Sequence, residues 1–130
     1  MKTVKIIIEK TKDMYSSYAE NVEGIYGAGD TVAEAKNSII NAIDLYKKYN
    51  TDRPSILNGK YALTFKFDTQ SLLNYYKGVF TQAALERITG INQKQIQHYA
   101  TGLKKPRAAQ TKKIETALHK LGSELMAVEL

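Results

Sequence analysis

Residues 81–107 read TQAALERITGINQKQIQHYATGLKKPR, and the apolar spacing and glycines of this stretch decide what the C-terminal half of the chain is. In Gln82 to Thr89, Ala84, Leu85 and Ile88 share one helical face, and in Asn92 to Thr101, Ile96, Tyr99 and Ala100 do. Two short helices therefore each bury a stripe. Between them lies Thr89-Gly90-Ile91-Asn92: Gly90 suits the left-handed conformation that ends one helix, Ile91 tucks inward, and Asn92 caps the next. With Ile96, Tyr99 and Ala100 inward, Gln93, Lys94, Gln97 and His98 fall on the opposite side, long and rich in donors. Such side chains suit a major groove. A Gln amide matches adenine in bidentate fashion, Lys donates to guanine or phosphate, and the N-terminal residues of a recognition helix read most bases. Gln82, opening the first helix, falls beside the phosphate backbone. The competing reading is a small helical bundle whose polar face is merely solvated.

These residues resemble the Cro/Xre-type helix-turn-helix family. Its pattern appears as Thr81-Gln82, Leu85, Gly90, Ile96, Gly102 and a basic loop ending in Pro106. One departure is Glu86, where the family usually carries a small Ala that lets the helices approach. The expected DNA-binding set is Gln82, Asn92, Gln93, Lys94, Gln97, His98, Lys104, Lys105 and Arg107.

Charge is distributed in keeping with that reading. Of the net +6, residues 1–68 contribute +1, from ten Lys/Arg and nine Asp/Glu, and residues 69–130 contribute +5, from nine and four. From Gln93 to Lys113 there are six basic residues and no acid, as a surface that displaces phosphate counterions requires. The 130 residues allow one or two small domains, and 43% hydrophobic with 25% charged residues is an ordinary globular composition. With no Cys, disulfides and Cys-ligated zinc are excluded, and His98 and His119 stand in no metal-ligand pattern. The apolar run in MKTVKIIIEK is too short and too charged for a signal peptide or membrane span, so a cytoplasmic protein without a membrane partner is expected.

The N-terminal half reads as a separate α+β module. Thr3 to Glu9 alternates β-branched residues with Lys5 and Glu9 as a first strand, Met14 to Asn21 is a weaker partner strand, and Ile25 to Ala28 is a short third. Thr31 and Glu34 form a capping-box pattern opening a long helix, with Val32, Ala35, Ile39, Ala42, Ile43 and Tyr46 on one face. That helix ends near Tyr49-Asn50. Residues 60–67, with Tyr61, Leu63, Phe65 and Phe67 alternating, form the clearest strand. The boundary is placed after Phe67, giving a domain at 1–67 and an all-α domain at 68–130. Helices are expected after Asp68, at 82–89, at 92–101 and beyond Pro106, with Gly122 breaking off a fifth.

This β-β-β-α-β order, with Gly24 and the Gly29-x-Thr31-x-x-Glu34-Ala35 segment, resembles the HicB antitoxin family, although Asn21-Val22-Glu23 stands where members usually show a Pro-containing turn. The resemblance implies a reduced RNase H-like N-terminal domain that neutralises a HicA-like mRNA-cleaving toxin, and a C-terminal domain that represses its own operon. Operator DNA and the toxin are then the partners, and a homodimer or higher homo-oligomer is expected because one helix-turn-helix makes few base contacts. No cofactor, metal or catalytic residue is expected. The acids Glu9, Asp13, Glu20, Glu23 and Asp30 show no spacing that forces them onto two metal ions, as a nuclease would need. Gly27-Ala28-Gly29 lacks the remaining residues of a phosphate loop and reads as a turn into the capped helix. A stand-alone regulator whose N-terminal domain dimerises or senses a ligand is the alternative function.

Overall fold

The β-branched alternation at the start of the chain produces strand β1 (Lys2–Lys10), whose Val4, Ile6 and Ile8 are fully buried on one face of a sheet. The computed structural model describes all 130 residues and is mixed α+β, with one four-stranded sheet and five α-helices. It divides into two compact units, Met1–Tyr75 and Tyr76–Leu130.

In the first unit, β1 pairs antiparallel with β2 (Tyr15–Ala19), and β2 pairs antiparallel with β3 (Tyr26–Gly29). Helix α1 (Val32–Tyr49) then carries the chain across, so that β4 (Tyr61–Phe67) lies parallel to β1 and the order is β3-β2-β1-β4. The apolar stripe of α1 closes the core. Ile39 and Ile43 meet Val4, Ile6, Ile8, Ala19 and Val32, and Leu57, from a 3-10 turn at Ser55–Leu57, seals one end. The β4 aromatics reach this core half-buried, since β4 is an edge strand.

The cap of α1 follows the sequence pattern with one shift. Thr31 Oγ1 accepts the Glu34 N–H at 3.1 Å, but the Glu34 carboxylate accepts the N–H of Asp30, at 2.8 Å, instead of that of the cap residue. Gly27 and Ala28 lie in the short third strand expected at Ile25–Ala28, and the strand runs on through Gly29, so the turn into the helix begins only after it. A Cβ on Gly27 would sit 2.7 Å from the Ile39 nitrogen, and one on Gly29 would sit 2.7 Å from the Ala35 nitrogen. Both glycines let the backbone of α1 lie directly on β3. Ser17, buried on β2, donates its hydroxyl to the Ala35 carbonyl at 2.9 Å, which ties the same contact polar to polar.

Helix α2 (Thr69–Tyr75) belongs to this first unit, so the compact unit ends at Tyr75 and not at Phe67. Its side chains explain the difference. Asp68 accepts the Lys10 N–H at 3.3 Å and caps the helix by accepting from the Ser71 N–H at 3.4 Å and from the Ser71 hydroxyl. Tyr75 stacks on Phe67 with ring centroids 5.8 Å apart, and the Lys36 ammonium lies 4.5 Å from the Phe65 ring centroid and 5.5 Å from that of Tyr75. These contacts hold α2 to β1, β4 and α1.

The second unit contains three helices instead of the five expected: α3 (Gln82–Thr89), α4 (Gln93–Thr101) and α5 (Ala108–Met126). Leu85, Ile91, Ile96, Tyr99 and Ile114 are its buried hydrophobic residues, and Thr89 is buried with them. The helix after Asp68 packs elsewhere, and Gly122 sits inside α5 without ending it. A single interior Gly costs a helix only about 1 kcal/mol relative to Ala, too little to stop a helix with favourable residues on both sides.

Candidate nucleic-acid interface

The turn between α3 and α4 is built from local hydrogen bonds. Thr81 Oγ1 accepts the Ala84 N–H at 3.0 Å and starts α3, and Gly90, at φ 77°, ends it by donating its N–H to the Glu86 carbonyl at 2.8 Å. Thr89 donates its hydroxyl to the Leu85 carbonyl at 2.6 Å and accepts the Ile91 N–H at 3.1 Å, which turns Ile91 into the core. Asn92 Oδ1 then accepts the Gln95 N–H at 2.9 Å and opens α4. At its far end Gly102, at φ 82°, closes α4, and the Lys104 N–H donates to the His98 carbonyl at 3.2 Å. Both ends of α4 are thus held.

This frame sets the faces of α4. Ile96 and Tyr99 are each 2% exposed, while Asn92, Gln93, Lys94 and Gln97 are exposed. Gln82 is half-buried at the start of α3. His98 is half-buried and its Nδ1 is buried without a hydrogen-bond partner, so it lies at the edge of the open face. Gln95 turns back, donating its amide to the Tyr99 hydroxyl at 2.9 Å. The Gln93 amide donates to the Glu86 carboxylate on α3 at 3.0 Å. In the sequence Glu86 stands out only as an acid where a small residue is expected. Its link to Gln93 spans the turn, and no helical periodicity would reveal it.

Lys104, Lys105 and Arg107 are exposed in the loop that follows. Arg107 occupies the cap position of α5 but makes no side-chain cap bond, which leaves the N–H groups of Ala108 and Ala109 outward at the positive end of a 19-residue helix. The single ion pair of the molecule, Lys112 with Glu115 at 3.8 Å, involves none of these loop cations. A shallow hollow of about 350 Å³ between α3 and α5 adds Lys112, Lys113 and Lys120 around Ile88 and Ala117. The second unit therefore combines an open Gln/Lys helical face with an uncompensated cationic loop, an arrangement able to meet base edges and phosphates.

No three Asp, Glu or His side chains are grouped closely enough to hold a metal ion. No helix is long and apolar enough to cross a membrane. Compared with models of protein families, with curated proteins and with solved structures, the chain matches none.

Proposed function

We propose that this protein is a HicB-like antitoxin. Its second unit, read as a Cro/Xre-type helix-turn-helix, binds operator DNA, and its first unit, read as a reduced RNase H-like domain, binds and blocks a small mRNA-cleaving toxin of the HicA type. The observation that carries the DNA half is the capped, Gly-closed helix α4, with Ile96 and Tyr99 inward and Gln93, Lys94 and Gln97 outward. The cations of the following loop lie next to it in the chain, where backbone contacts follow a recognition helix. The toxin half rests on the β-β-β-α-β order of the first unit and on the order of the two modules. The protein acts in the cytoplasm as a dimer, presenting two α4 helices about 34 Å apart to a palindromic site, and without catalysis of its own.

Co-expression with the small reading frame beside its gene, followed by affinity pull-down and a gel shift on its own promoter, tests both halves. The expected result is a stoichiometric, small, basic partner that is toxic alone, together with retarded promoter DNA. Retarded DNA without a partner would replace the antitoxin by a stand-alone regulator, and no retardation would remove the DNA-binding role.

A further inference from the structure

Gln93 opens α4 exposed, yet its side chain is not free: Nε2 lies 3.0 Å from Glu86 Oε2. Only the nitrogen of a Gln amide can donate to a carboxylate, so chemistry assigns the orientation of this amide. One of its two N–H groups is taken by Glu86. What remains for a base is one N–H and the carbonyl oxygen, a donor beside an acceptor. Adenine presents the complement in the major groove, with N7 accepting and N6 donating, whereas guanine presents two acceptors, N7 and O6. An untethered Gln could rotate to offer guanine its amino group. The tethered one directs its carbonyl oxygen at guanine O6, where two lone pairs oppose each other. The bond to a charged acceptor is also of the stronger class, and it immobilises a flexible side chain before DNA arrives.

We infer that Glu86 is a positioning residue that sets base selectivity, holding Gln93 in the orientation that accepts adenine and rejects guanine at one position of each half-site. This inference rests on the reading of α4 as a DNA-recognition helix. It makes the acid at this position a selectivity device, not a flaw in helix packing.

The test is selection of a randomised duplex DNA library by the full-length protein, compared among wild type, Glu86→Ala, Glu86→Gln and Gln93→Ala. Wild type is expected to enrich a site with one adenine per half-site whose preference disappears in Gln93→Ala. Glu86→Ala keeps binding that site but admits guanine there, with adenine-over-guanine discrimination falling about tenfold or more. Glu86→Gln, whose amide can donate to Gln93 as well as accept from it and so no longer fixes its orientation, keeps only part of the discrimination. If Glu86→Ala discriminates like wild type at the position that Gln93 controls, Glu86 has no such role, although α4 still reads DNA. If wild type enriches no sequence, the recognition-helix reading itself fails and this inference falls with it.

Discussion

The side-chain oxygen of Asn92 lies 2.9 Å from the backbone nitrogen of Gln95, and this one bond sets where α4 begins and so which side chains stand at its exposed N-terminus. Asn92→Ala leaves that N–H without its acceptor and is expected to destabilise the second unit by about 1 kcal/mol. Urea denaturation monitored by circular dichroism measures it. Asn92→Ser, which keeps a capping oxygen, should lose much less.

The exposed face of α4, as the proposed base-reading surface, makes a separate prediction. Gln93→Ala and Lys94→Ala should each weaken sequence-specific binding by about 1–3 kcal/mol. Titrating labelled specific and scrambled duplexes separates the effects. Unchanged affinity of the double variant for the specific duplex would mean that α4 is not the reading element.

For the loop cations the signature is salt dependence instead of specificity. Lys104→Ala and Lys105→Ala should weaken binding to all sequences alike, and each should reduce the slope of log K against log salt by about 1. Anisotropy titrations across a range of potassium chloride concentrations give that slope directly.

Close packing of α1 on β3 makes Gly27 intolerant of even one methyl group. A Cβ there meets Ser17 Oγ at 2.6 Å as well as the backbone of Ile39, so Gly27→Ala should cost about 1–3 kcal/mol or more of first-unit stability. Gly24→Ala has open space around it and suffers only the backbone cost of its φ of 86°. Thermal unfolding of the two variants should rank them in that order.

On the outward side of β2, Tyr18 has its phenol pKa raised, first by desolvation and then by the carboxylates of Glu9 and Glu20. Its folded pKa lies above the unfolded value of about 10, so its neutral form is favoured in the folded state. The stabilisation is complete below that unfolded value and is lost as pH rises through the folded one. Absorbance at the phenolate band should show a late-titrating tyrosine that is missing in Tyr18→Phe.

What the sequence determined by itself is what a few neighbouring residues decide. Thr31 and Asn92 cap the helices they precede, Gly90 takes the left-handed turn, and Ile96 and Tyr99 face inward, because each depends on contacts within about one helical turn. Val4, Ile6 and Ile8 likewise announced a strand with a buried apolar face, whereas the burial of Ile7 on the other face did not follow from that alternation. The tertiary structure alone decided the pairing of β1 with β4, residues nearly sixty apart, since alternation marks a strand but not its neighbour. It also placed α2 with the sheet, through Asp68 with Lys10 and Tyr75 with Phe67, where the apolar stripe would have served either unit. Gly122 stayed helical because the residues around it outweigh one unfavourable propensity. The bond from Gln93 to Glu86 formed because a turn brought two helices together. In each case the deciding partner lies beyond the reach of a local pattern, and only folding brings it within hydrogen-bonding or packing distance.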